Sequence, residues 1–320
     1  MSEQPEFILD RRKLKKKLYL WRFIAIAVAI IGLFSLLTLD KNFAAKLGMA
    51  DQIARIEVSG VILEDKARAE MLKKMAADKS VKALIVKFNS PGGTTTGGEA
   101  LYEELSRIAK DRPVVALFGT MATSAAYMSG VAAEHIIARS NSITGSVGVI
   151  MQWAEVSSMM DKLGVKMNEM KSGNLKAVPS PFQPLDEFGR SSTQNMISDS
   201  HKWFVDLVVK RRNIKPAEIP GFMEGSIYSG RQALKYGLID EIGSEEQALN
   251  WLSKAKKVPN YLPIIDWSQE APQSGGILGR ASLYLAGLFG LDLKPYLHNM
   301  SQNGLISARH SGKLISKWNP

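Results

Sequence analysis

From Gln52 onward one pattern repeats. Short, continuously apolar runs alternate with amphipathic stretches long enough for several helical turns. ARIEVSGVIL (54–63), VKALIVKF (81–88), PVVALFG (113–119) and HIIAR (135–139) read as strands. Residues 65–79, 97–110, 123–133, 154–163, 186–213 and 245–256 read as helices, with Ala69, Met71, Leu72 and Met75 spaced for one buried face in the first. Uninterrupted apolar strands require burial on both faces, and strands separated by helices require crossover connections. The chain is therefore expected to be α/β, with a largely parallel sheet and helices outside it.

Composition narrows the chemistry. The chain has 320 residues and no cysteine, which excludes disulfides, thiolate metal sites and a thiol nucleophile. The four histidines show no metal-ligand spacing, so no metal and no cofactor is expected. The net charge of +10 lies at the ends: residues 1–22 carry +4 and residues 294–320 another +4, leaving +2 for the 271 residues between. A nucleic-acid-binding body would carry its own basic surface, so nucleic acid is not an expected partner.

Phe23 to Leu39 is an uncharged run of 17 residues, preceded by Tyr19, Trp21 and a basic cluster at 11–17. Length and flanks predict a single transmembrane anchor (23–39) behind a cytoplasmic basic leader (1–22), with everything after Asp40 on the extracytoplasmic side. A cleaved signal peptide is the rival, because Gly48-Met49-Ala50 fits a small-x-small site before Asp51. Residues 51–256 form the expected catalytic domain. Residues 257–320 form an extension with a linker-like stretch (267–276), an 11-residue apolar run (281–291) too short to span a bilayer, and a polar tail.

Three features could carry chemistry. Ser124 follows the strand 113–119 through a Gly-containing turn and opens a helix of small residues, at the sheet edge where α/β folds place their sites. It reads either as a nucleophile or as an ordinary helix cap. The turn NSPGGTTTGG (89–98) lets backbone approach a ligand at Gly92 and Gly93, whose N–H groups beside that of Ala125 could form an oxyanion hole; no phosphate-binding pattern is present. A serine also needs a base. His135 starts the next strand and faces away, and no Gly-x-Ser-x-Gly elbow exists. Lys176, followed by Ala, Val and Pro, is either a base with a burial-depressed pKa or a solvated surface lysine.

The series SPGG, GTMATSAAY, SITGSVGVI, KSGNLKAVPSPF and YSGRQALKYGLIDEIG, in that order over residues 52–255, resembles the signal peptide peptidase SppA family of S49 serine peptidases. The resemblance implies a Clp protease/crotonase-like spiral of ββα units and a Ser–Lys dyad: Ser124 as nucleophile, Lys176 as base, Gly93 and Ala125 as oxyanion donors, and Ser146 orienting the lysine. Lys171 is the runner-up for the base. It further implies a homo-oligomeric ring, with the dyad formed either within one subunit or between a lysine and a neighbour's serine, a place in a bacterial inner membrane, and peptide substrates such as remnant signal peptides at the lipid bilayer. The family's usual Ser-Gly-Gly-Tyr is here Ser124-Ala125-Ala126-Tyr127, and the added methyl groups are expected to narrow the cleft. A crotonase-type acyl-thioester enzyme and a non-catalytic membrane-tethered scaffold are the alternatives.

Overall fold

A computed structural model describes residues 15–30 and 50–268. Residues 15–30 are helical. Among the described residues no helix is long and apolar enough to cross a membrane. Residues 31–39 of the expected anchor, most of the leader, Gly48-Met49, and the extension from 269 on lie outside the described residues.

The body is a mixed α/β sheet. Its strands are β1 (Gln52–Ile62), β2 (Val81–Gly93), β3 (Val114–Thr123), β4 (His135–Ala138), β5 (Ile143–Gly145), β6 (Ile227–Ser229), β7 (Glu241–Ile242) and β8 (Ile264–Asp266). The path runs β6-β5-β3-β2-β1-β8, with β4 joining β3 and β7 joining β4. Every pairing is parallel except β5 with β6. The helices are α1 (Lys66–Ala77), α2 (Thr95–Ala109), α3 (Ala125–Gly130), α4 (Ser157–Lys162), α5 (Glu187–Arg212), α6 (Gly230–Lys235) and α7 (Glu245–Lys256).

The central strands are buried on both faces, as their continuous apolar sequences require. Ala54, Ile56, Leu84, Val86, Ala116 and Phe118 face one core layer; Ile53, Ala83, Ile85 and Val115 face the other, under α7. Phe88 meets Phe118 edge-on with ring centroids 5.7 Å apart, and Phe118 meets Tyr127 at 6.2 Å. The fully buried Tyr127 donates its hydroxyl to Leu238 O at 2.8 Å, and burial pushes that hydroxyl's pKa up. This anchors α3, and with it the residue immediately before it.

At the outer edge Arg55 holds β8 in place. Its guanidinium binds Asp266 at 2.6 and 2.8 Å and Glu245 at 2.8 and 2.9 Å, and its carbonyl accepts from Trp267 N–H at 2.8 Å.

Two strands outrun their apolar cores. The stretch Ser90-Pro91-Gly92-Gly93 does not turn away after Phe88. It continues β2, with Val61 opposite Gly92 and Ile62 opposite Gly93. Likewise β3 runs on past Gly119 to Thr123, so Ser124 follows a strand directly and no turn intervenes. The helix expected over 123–133 is only the six residues of α3.

Candidate active site

Ser124 occupies the junction between β3 and α3 with φ 53° and ψ −122°, a region a non-glycine residue adopts only under strain. Such conformations cost on the order of 1–3 kcal/mol and persist where surrounding contacts enforce them. Here the enforcement is visible: Ser124 N–H donates to Gly145 O at 2.9 Å, and Ser124 O accepts from Met128 N–H at 2.8 Å. The side chain makes no capping hydrogen bond. The choice left open by the sequence is thereby narrowed, since a capping serine would bond an N–H of the first turn. Ser124 is half-buried, in contrast to the fully buried Ser129, whose hydroxyl donates to Ala125 O at 2.8 Å.

Gly92 and Ala125 lie against this serine. A Cβ on Gly92 would stand 2.8 Å from Ser124 Cβ, 2.9 Å from Thr123 O and 3.1 Å from Ala125 N. Gly92 also has φ +110°, so both conformation and space demand glycine there. Its N–H is already taken, donating to Ser90 Oγ at 3.1 Å. Thr94 N–H donates to Ile62 O at 3.0 Å on the β1 side. Alternation along the strand therefore turns the N–H of Gly93 the opposite way, toward the end of β3. A Cβ on Gly93 would fall 1.8 Å from Ile62 O, so that strand end can pack no closer. The Ala125 N–H is the first of its helix and has no carbonyl one turn back to serve.

Ala125 and Ala126 correct one expectation. They are 2% and 0% exposed, within the core. The methyl of Ala125 faces α2, where a Cβ on Gly98 would stand only 2.8 Å from it. Both methyl groups are buried, that of Ala125 against α2, and so do not narrow an open cleft.

Ser146 is half-buried with φ 54°, one residue beyond the carbonyl that holds Ser124, and its N–H donates to Ser226 O at 2.9 Å. His135 stands opposite Val115, nine residues of chain before Ser124, which at strand rise is roughly 25–30 Å. Its Nε2 lies 3.1 Å from Glu241 Oε2 and its ring stacks on Trp251. It belongs to the packing of β7 and α7, far from Ser124.

Lys176 is placed differently from the rest. It is exposed, its N–H bonds Gly173 O at 3.0 Å, and Ala177 beside it is exposed too. Among the described residues no hydrogen bond joins it to Ser124 or Ser146. None of residues 148–179 is buried, so the described residues supply no apolar setting for the amine. Lys171, by contrast, is committed: its ammonium lies 2.5 Å from Glu169, which also accepts from Gln183 at 3.0 Å.

Residues 106–259 match the profile of peptidase family S49. A protein of Methanocaldococcus jannaschii named as a candidate protease is 33% identical over 237 residues, covering 74% of this chain and 75% of that one. The chain belongs to peptidase family S49. Within it, the chain is 36% identical over 194 residues to an Enterococcus faecium protein named as a candidate signal peptide peptidase SppA, covering 60% of this chain and 56% of that one. It is 32% identical over 220 residues to Protease 4 of Haemophilus influenzae, covering 66% of this chain but 35% of that longer protein. The S49 match embraces Ser124, Ala125, Ser146 and Lys176 and begins after Gly93.

Proposed function

We propose that this S49 peptidase is a membrane-anchored serine endopeptidase that degrades cleaved signal peptides and similar apolar segments with a Ser124–Lys176 dyad. The observation that carries the reading is the strained, uncapped Ser124 beside Gly92 and the Ala125 N–H. A serine at a cost in backbone strain, its hydroxyl unspent on its own helix, is what a nucleophile on a sharp strand-to-helix junction requires.

In this reading the neutral Lys176 amine takes the Ser124 Oγ proton while Oγ bonds to the scissile carbonyl carbon. The resulting oxyanion accepts from the N–H groups of Gly93 and Ala125. As the C–N bond breaks, the Lys176 ammonium returns its proton to the leaving amine. Water then attacks the acyl ester, giving its proton to Lys176, and the acid product leaves as Ser124 is restored. Ser146 orients the amine through its hydroxyl. Lys171 is the poorer candidate for the base because it is paired with Glu169.

A neutral lysine at working pH needs desolvation. The exposed Lys176 would obtain it where segment 148–179 is covered, and a second copy of this chain in a homo-oligomeric ring is the proposed cover. The segment carries exposed Ile150, Met159, Leu163 and Met170, an apolar surface suited to such an interface. In the same proposal residues 23–39 anchor the chain, the basic leader stays in the cytoplasm, and the sheet lies on the outer side of a bacterial inner membrane, beside its substrates. In the same reading the α/β body is a Clp protease/crotonase-like fold.

The test is Ser124→Ala and Lys176→Ala, made separately in the full chain and assayed on an apolar fluorogenic peptide with fluorophosphonate labelling alongside. Both should lose turnover by about 10³-fold or more, and Ser124→Ala should also lose the label. Turnover surviving in either variant refutes the dyad.

A further inference from the structure

The Gly-Gly stretch beside Ser124 is laddered on its β1 side, with Gly92 opposite Val61 and Gly93 opposite Ile62, while the β2–β3 pairing reaches only to Ser90 opposite Ala122. A peptide next to a glycine flips readily, and only one orientation of the Gly92–Gly93 peptide aims an N–H at a developing oxyanion. Just before that peptide the ladders are interrupted: register shifts fall between Ser59 and Val61 in the β1–β2 pairing, and between Phe88 and Ser90 in the β2–β3 pairing. At such interruptions backbone groups need other partners.

Three buried hydroxyls supply them, one from each of three neighbouring strands. Thr144 Oγ1 on β5 donates to Ala122 O on β3 at 2.7 Å. Thr123 Oγ1 on β3 donates to Pro91 O on β2 at 2.9 Å. Ser90 Oγ on β2 donates to Gly60 O on β1 at 2.6 Å and accepts from Gly92 N–H at 3.1 Å. Thr144 and Ser90 are 0% exposed and Thr123 is 5% exposed. The carbonyl of Pro91 and the N–H of Gly92 belong to one peptide unit. That unit is therefore gripped at both ends, by the residue preceding Ser124 and by Ser90.

We infer that Ser90 and Thr123, braced by Thr144, are positioning residues that pin the Pro91–Gly92 peptide and so aim the following N–H, that of Gly93, at the carbonyl oxygen attacked by Ser124. The inference rests on the peptidase reading for its catalytic consequence. Its structural content, one peptide pinned by two hydroxyls, stands apart from that reading and is tested apart.

Ser90→Ala, Thr123→Val and Thr123→Ser are compared with the unaltered full chain. Turnover of an apolar fluorogenic peptide, thermal midpoint and amide hydrogen exchange at Gly92 are measured on each. Ser90→Ala and Thr123→Val should each lower kcat about 10-fold or more with KM changed less than about two-fold, because the donor is misaimed in the transition state while ground-state binding is spared. Thr123→Ser should restore kcat, and Gly92 should exchange faster in Ser90→Ala. Unchanged kcat, or a loss that merely follows the folded fraction at each temperature, overturns the positioning role. A Thr123→Ser variant as poor as Thr123→Val does the same. If the unaltered chain cleaves no peptide, the peptidase reading falls; exchange at Gly92 then decides the pinning alone, and unchanged exchange in Ser90→Ala overturns it.

Discussion

The two halves of the proposed site are built in opposite ways. Ser124 sits where four strands end, fixed by the Gly145 carbonyl, backed by the buried Ala125 and Tyr127, and faced by Gly92, on which an added Cβ would stand 2.8 Å from that of Ser124. Lys176 sits in a segment in which none of residues 148–179 is buried. One half is determined by the interior of the sheet; the other is held, among the described residues, by local bonds such as Lys176 N–H to Gly173 O and by no buried side chain of its own segment. A close-packed interior resists change at the scale of a methyl group, whereas an exposed segment takes its geometry from whatever covers it.

That contrast can be broken first at Gly92. Gly92→Ala places a methyl against Ser124 Cβ at a φ of +110°. It should abolish peptide turnover and cost roughly 2–4 kcal/mol in denaturant unfolding, combining left-handed strain with overpacking. Near-normal turnover would mean that the strand end is softer than its packing indicates.

The next effect is at the helix interface. Gly98→Ala brings a methyl to 2.8 Å from that of Ala125 and should destabilise by about 1–3 kcal/mol. Adding Ala125→Gly should recover most of the loss, a coupling that a double-mutant cycle measures directly. Additive losses would show that the two methyl groups do not meet.

In the exposed segment the pattern should invert. Met170→Ser should leave unfolding of the dilute chain within about 0.5 kcal/mol of the parent, as surface changes do, while lowering turnover through the proposed interface. A large stability loss in the dilute chain would erase the distinction between the halves.

The smallest effect concerns Glu104 on α2. Burial, the largest cause, raises its pKa above the ordinary carboxylate value, and its Oε2 has no hydrogen-bond partner among the described residues. The folded state then binds the proton more tightly than the unfolded state, so stability falls as pH rises from the ordinary carboxylate pKa through the raised one. Glu104→Gln should flatten that slope, with thermal midpoints of parent and variant diverging upward from about pH 4.5. Parallel pH profiles would assign no such cost to Glu104.

The apolar parts of the fold were legible in the sequence. VKALIVKF and all of HIIAR but its final Arg139 lie in strands, and residues 245–256 form the expected helix, because hydrophobic runs and periodicity report burial directly. The ends of β2 and β3 were not. Ser90-Pro91-Gly92-Gly93 and Thr123 carry turn-forming or polar residues, and they continue as strand through ladder pairings with Val61, Ile62 and Gly145 that hydroxyls of Ser90 and Thr123 supplement at the register shifts. The direction of the Ala125 methyl was hidden for a related reason: a residue at a strand-to-helix junction has no local periodicity to say which way it faces. Ser124 was marked by motif order, while its strain is set by Gly145, some twenty residues on. Lys176 was expected beside apolar neighbours, yet Ala177 is itself exposed, since sequence adjacency is not spatial enclosure.

The Arg55 grip on Asp266 and Glu245 has a bearing on how this chain is cut for study. Any fragment ending before Ile264 would strip β8 from β1 and leave that strand's hydrogen-bonding side bare. Uncapped borders of this sort recruit strands from other molecules, so such a truncation is expected to clump. A boundary drawn after Trp267 keeps the border closed.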